Sequence, residues 1–529
     1  MTDRTSYRER HNRMHDLILR GGTLHDGFGS PGRTADVAIG GGRVTATGRD
    51  LGRAARVVDV DGLVVAPGFV DPHSHSDTVP FMAGAQPFKL WQGVTTEIVG
   101  NCGFSCGPAT PESAGFTPEV LSEHTFATFG GYLDAVEREG TTNNLAVLVG
   151  HNTLRTAACG MDAALRPGAL ARMTELAEEA FAAGACGLSS GLEYVPGAYA
   201  ATGELIALAR AARRRNLVYA THLRSESEGL ADALDEALEV ATAAGIRLQV
   251  SHCKASGRAV HGSSAMLLDK LAAARVRGVD VRADVYPYQA FCTGLVALLP
   301  PAACEGGEAE LVRRLADPDA RRALRALAED PRRTTGVGLW REAHPEDVHL
   351  LRHASAAVTG RRLADVLDGR DPWDALCDLL IADPHADGVF HTMHDDDVTR
   401  IMRHPLVSIG SDGGPPGGPN HPRTYGTFPT FLGACVRERG IVPMAEAIRK
   451  AGSATAAQFG LADRGWLGRG AVADVCVFDP EAIRHDGTYD EPATRPAGVV
   501  HVLLGGRMVI DGGEFTGGRH GRLLRGGQA

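Results

Sequence analysis

The 529-residue chain contains no stretch of about 18 uninterrupted apolar residues, so a membrane-spanning helix is not expected. Its start lacks both a secretory apolar core and a small-residue cleavage site. Residues 1–13 (MTDRTSYRERHNR) are polar and are expected to form a disordered arm. The ten cysteines show no paired metal-knuckle spacing. Without a secretory signal, this points to reduced thiols in the cytoplasm rather than a disulfide framework. A surplus of positive charge is also missing: 54 basic residues face 64 acidic ones, for a net charge of -10. That balance weighs against nucleic acid and anionic membrane as partners and favours a small-molecule substrate. No internal repeat is present.

What the chain does contain is ordinary globular material, 43% hydrophobic and 22% charged, enough for one large barrel and a smaller domain. Three alternating apolar and polar runs with glycine turns fall in residues 14–64: HDLILRGGTL, TADVAIGGGRVTATG and ARVVDVDGLVVAPG. The same texture returns in residues 466–529, in GAVADVCVFDP and AGVVHVLLGGRMVIDGG. The two ends are therefore expected to pair into one small β-sandwich.

Between them, residues 65–465 alternate strand-like and helical patterns, with eight candidate strands: APGFVDPHSH, VTTEIVGN, NLAVLVGH, ACGLSSGL, LVYATHLRS, RLQVSHCK, VDVRADVYPY and LVSIGSDGG. Eight strands joined by helices predict an α/β fold, a TIM-like (β/α)₈ barrel. Leu170, Met173, Leu176, Ala177, Ala180 and Phe181 mark the buried stripe of one connecting helix, closed by Gly184; Thr202 is a candidate cap of the next. A Pro-, Arg- and Ala-rich stretch at about 291–358 is expected to be a helical insertion between strands seven and eight.

Polar residues able to hold a metal fall at the carboxyl ends of these strands, where barrel enzymes carry their active sites. Strand one ends in His73-Ser74-His75, and residues two apart on an extended chain point the same way. Strand two ends in Cys102 between glycines, strand five in His222, strand six in His252 and strand eight in Asp412. Each alone has a bland reading as a buried polar group or structural thiol. Together, four histidines, a cysteine and an aspartate from five strand ends predict a catalytic zinc site. Lys254, two residues beyond His252, is a candidate cation for a substrate carboxylate. Tyr194 and Tyr286 are candidate hydroxyl donors. Arg224, Glu226 and the His421–Gly426 loop are expected to line the site or to support it. His151 reads equally as an orienting or a structural histidine, and Asp395 to Asp397 as a helix start.

The order of these ligands resembles the metal-dependent amidohydrolase superfamily. The longer motifs APGFVDPHSHSD, GNCGFS, GLEYVPGAYA, THLRSE, SHCKASG, DVYPYQA, HPLVSIGSDG and HPRTYGTFP resemble the D-aminoacylases within it. The resemblance covers most of the chain from Met14 onward. It implies hydrolysis of N-acyl-D-amino acids, with Cys102, His222 and His252 binding one zinc tightly and His73, His75 and Asp412 around a second, weaker position. Strand four, ACGLSSGLEY, has no lysine to bridge two metals, and Cys102 takes that role. The same resemblance makes Asp412 the general base and acid, beside a zinc that lowers the pKa of water to about 7. One departure stands out: Cys292 occupies a position where the family commonly has serine, and a thiol is the poorer hydrogen-bond donor. Three rivals remain: a hydantoinase- or dihydroorotase-like cyclic amidohydrolase, a deacylase or peptidase of D-configured natural products, and a non-catalytic scaffold. The sequence leaves the oligomeric state open.

Overall fold

A computed structural model describes residues 14–110, 124–418 and 420–526; the expected arm at 1–13 lies outside them. Eight parallel strands run in sequence order round the core: Phe69–Asp71, Val94–Val99, Asn144–Gly150, Gly187–Gly191, Val218–His222, Arg247–Val250, Val281–Val285 and Val407–Ile409. They are numbered one to eight below. Strand eight pairs with strand seven along a regular ladder, but it meets strand one only beyond the strand ends. There Ser74 bridges Gly413, the Asp412 amide donates to the His73 carbonyl at 2.7 Å, and the His75 amide donates to Gly413 at 2.8 Å. The barrel thus closes through the segments that carry three of the candidate ligands.

The connecting helices form because their apolar residues recur at helical spacing and find the sheet. Helix Ala169–Ala183 buries Met173, Leu176, Ala177, Ala180 and Phe181, and ends at Gly184 with φ 117°, a conformation that suits glycine. Helix Leu230–Ala244 buries Leu230, Leu234, Ala237, Leu238 and Ala241. Each buried leucine contributes roughly 1.5–3 kcal/mol. Thr202 is not a cap: the helix begins at it, and its hydroxyl donates to Glu236 at 2.9 Å instead.

The chain ends build two facing sheets. One holds Met14–Arg20, Asp36–Gly40, Arg43–Gly48 and Arg53–Asp59; the other joins Thr23–Leu24 and Val64–Pro67 to Val475–Phe478, Val499–Leu504 and Arg507–Asp511. Leu17, Leu19, Val37, Ile39 and Val58 pack between the sheets with Val65, Val475, Val477 and Leu503.

The insertion differs from the helical stretch expected at 291–358. Beside helices Glu308–Ala316, Pro318–Ala328 and Pro372–Ala382 it carries a three-stranded antiparallel sheet, Phe291–Gly294, Asp387–Phe390 and Val348–Arg352, with the second in the middle. It therefore reaches well past residue 358. Runs as short as DGVF are too brief for their alternation to stand out from flanking Arg- and Ala-rich helices. Helix Asp395–Arg403 follows, its start capped by the His394 side chain and three aspartates, as the sequence suggested.

Candidate metal centre and active site

The Cys102 thiol stands at the middle of the cluster. Its Sγ lies 3.2 Å from His73 Nε2, 3.4 Å from His252 Nε2 and 3.9 Å from His222 Nδ1. Asp412 Oδ1 lies 3.2 Å from His75 Nε2 and 3.4 Å from His73 Nε2. Two groups of donor atoms contain Cys102, one with His222 and His252 and one with His73, His75 and Asp412, and a third joins His222 to Glu193 and Glu226; within each, all atoms lie within 4.8 Å of one another. A thiolate, imidazole nitrogens and a carboxylate at such separations fit the ligand chemistry of zinc, and Cys102 is shared by the first two groups.

The backbone is bent to make this convergence. Cys102 (φ 51°), His252 (φ 31°) and Asp412 (φ 49°) all adopt the left-handed region that non-glycine residues rarely occupy. Beside Cys102, Gly103 has φ 81°, and a Cβ there would collide with Asn152 Oδ1. The glycine lets the cysteine loop press against its neighbour.

Electrostatics follow from burial and mutual contact. Burial opposes the Cys102 thiolate, yet the surrounding imidazoles, His73 foremost, hold the thiol well below the ordinary range. Burial opposes the Asp412 carboxylate too, but the guanidinium of Arg423, 2.7 Å from its Oδ2, together with His73, His252 and His75 holds it well below the usual carboxylate range. Burial would neutralise His222, but Glu226, Cys102 and Glu193 together outweigh it and raise the imidazole to about 10. Asp77, at the cavity wall, is pushed up to about 7 by burial.

A cavity of about 490 Å³ opens over these groups. His75, Cys102, His252, Asp412, Tyr194, Cys292 and Arg423 line it, with an apolar wall of Phe104, Val195, Val296, Ala297 and Leu299. Tyr194 packs its ring on His222 and accepts a hydrogen bond from the Thr293 hydroxyl at 3.2 Å. Tyr286 is buried outside the cavity lining, its hydroxyl without a hydrogen-bond partner among the described residues, and Arg423 lies 5.0 Å over its ring.

Two candidate substrate contacts engage glutamates in this structure. Arg224 does not reach the cavity: it forks onto Glu236 and donates to the carbonyls of Ala198 and Ala200, tying loops together. Lys254 is buried beside the cluster, but its ammonium lies 2.5 Å from Glu226 Oε2, so its charge is already matched. Cys292 is at the wall as expected, and burial pushes its thiol up to about 12, leaving it neutral. His151 is structural, buried 2.7 Å from Glu204. The sequence reading gave no role to Glu193, next to Tyr194, and named Arg423 only as part of its loop; Asp77 in the HSHSD run went unremarked. Their signals were single residues inside motifs read for other members.

Comparison with known proteins places this geometry in context. The model of the amidohydrolase family matches residues 56–510. The chain is 37% identical to a D-aminoacylase of Alcaligenes xylosoxydans xylosoxydans, over 96% of this chain and 97% of that one. It is 36% identical to an N-acyl-D-glutamate deacylase of the same organism, over 96% of each. Among solved structures, it is similar to an N-acyl-D-glutamate deacylase from Bordetella bronchiseptica complexed with zinc and a phosphonate mimic of the tetrahedral intermediate. That likeness has a TM-score of 0.84 at 32% identity and covers 97% of this chain and all of the other.

Proposed function

The chain belongs to the amidohydrolase family, and from that premise we propose that it hydrolyses the amide bond of N-acyl-D-amino acids, releasing a carboxylate and a free D-amino acid. The observation that carries the reading is the shared position of Cys102 between two donor groups, with the buried Asp412 carboxylate lining the cavity beside them.

Cys102, His222 and His252 would hold one zinc tightly, and His73, His75 and Asp412 would border a weaker second position. When bound, zinc supplies a Lewis acid for the amide carbonyl and acidifies water. Asp412, kept charged by Arg423, accepts the proton of the attacking water and returns it to the departing amine nitrogen. Arg423, at the cavity wall, supplies a buried donor for the α-carboxylate, the unpartnered hydroxyl of buried Tyr286 under the Arg423 guanidinium is a second, and the neutral Cys292 thiol at the wall is a weak one. The apolar wall at Val296, Ala297 and Leu299 excludes water from the reacting carbon.

Among the described residues no helix is long and apolar enough to cross a membrane, and all ten cysteines are unpaired. With the reading goes a cytoplasmic site of action, where such thiols stay reduced. The D configuration rests on the relatives. Paired N-acetyl-D- and N-acetyl-L-amino acids, incubated with metal-analysed protein, are expected to release amine from the D forms alone. Ring-opening of a hydantoin with no release from either would overturn the reading.

A further inference from the structure

The two imidazoles His222 and His252 present different nitrogens to Cys102. His222 offers Nδ1, while His252 offers Nε2. A ring nitrogen that binds a metal must give up its proton, so the proton of the neutral ring belongs on the other nitrogen. That is Nε2 in His222 and Nδ1 in His252. Two neighbouring ligands therefore need opposite tautomers.

Each of those outer nitrogens faces a glutamate. His222 Nε2 lies 3.0 Å from Glu193 Oε2, and His252 Nδ1 lies 3.0 Å from Glu226 Oε1. A competitor sits at the second position: the Lys254 ammonium is 2.8 Å from the same His252 Nδ1. An ammonium only donates, and taken alone it would favour a bare Nδ1 with the proton on Nε2, the form that shuts out a metal. Glu226 reverses this by accepting at Nδ1 with one oxygen and engaging Lys254 with the other at 2.5 Å. Its Oε2 is also 3.7 Å from His222 Nε2.

We propose that Glu193 and Glu226 are positioning residues that hold His222 and His252 in opposite tautomers, leaving the nitrogens that face Cys102 free to bind metal, with Lys254 as the counter-ion of Glu226. The inference rests on the proposed function in one respect, that a metal binds at Cys102.

The test is zinc affinity, measured by competition with a chromophoric chelator, together with the thiolate-to-cobalt absorption of the cobalt-loaded protein. Glu226→Leu and Glu193→Leu are expected to lose about 10- to 100-fold in zinc affinity and to shift the cobalt band. Glu226→Gln and Glu193→Gln, whose amide oxygen still accepts, recover part of the loss. Wild-type affinity and an unchanged band in both leucine variants would overturn the proposal. If the leucine variants do not fold, the glutamine pair decides: weaker zinc binding with unaltered metal-free melting supports it, and wild-type binding overturns it. Wild-type protein that takes up zinc yet cleaves no N-acyl-D-amino acid would remove the proposed activity and leave this inference standing.

Discussion

The ammonium of Lys89 donates to Ser411 Oγ at 2.7 Å while lying 2.8 Å from Asp71 Oδ2, and so stitches strand one to the residue before Asp412. Glu97 Oε1, 3.4 Å away, accepts the Ser74 hydroxyl at 2.7 Å and extends the network toward the histidine pair. All the charged members are fully buried. Lys89→Met would strand two carboxylates without their cation, at a cost of about 3–5 kcal/mol. Urea denaturation should show that loss; an unchanged midpoint would mean the seam holds without the lysine.

Asp412→Ala removes the proposed proton acceptor but none of Cys102, His222 or His252. Amide hydrolysis is expected to disappear while one zinc per chain remains by elemental analysis. Turnover near the wild-type rate would defeat the assigned role.

Arg423 is the largest of the groups that depress the Asp412 carboxyl against burial, ahead of His73, His252 and His75. A base with a lowered pKa stays active as pH falls until that pKa is crossed. In Arg423→Met the pKa rises, so the acid limb of kcat/KM should move to higher pH, with a raised KM from the lost carboxylate contact. A pH–rate profile superimposable on the wild type would contradict this.

Tyr286 carries a buried hydroxyl with no hydrogen-bond partner among the described residues. Removing an unsatisfied buried donor is close to neutral or stabilising for the free protein. Tyr286→Phe should therefore melt no lower than the wild type and yet lose kcat/KM, which separates a substrate contact from a packing role.

Glu342, reaching in from the insertion, hydrogen-bonds with Ser256 and is raised to about 8 by burial, with Glu193 and Glu226 adding repulsion. Its folded pKa lies above the ordinary 4.5, so the folded state binds the extra proton between those values. Its contribution to stability is complete below about 4.5 and is lost as pH rises to about 8. Glu342→Gln should gain stability relative to wild type across that interval, measured by denaturation at pH 5 and pH 8; parallel curves would refute it.

The candidate ligands were legible from their placement at or just past strand ends, on one rim of the barrel, and not from strand geometry: only His222 lies within a strand, while Cys102, His252 and Asp412 adopt positive φ. His73, His75, Cys102, His222, His252 and Asp412 do converge. Arg224 and Lys254 were harder: both sit near the site in sequence, but the glutamates that engage them, Glu236 and Glu226, come from a helix and from the loop before it. A cation's partner is a fact of tertiary packing. The strands of the insertion escape a sequence reading for the related reason that they are short and form a small sheet of their own, apart from the barrel.

The second sheet of the sandwich joins Val64–Pro67 to Val475–Phe478, strands from opposite ends of the chain. During synthesis the earlier strand must wait, one edge unpaired, until nearly the whole barrel has left the ribosome. Barrel strands, by contrast, each find their neighbour as soon as the next unit is made. The small domain is thus a clasp that shuts last, and ribosome-stalled chains ending before residue 475 should present that open edge to chaperones or to one another.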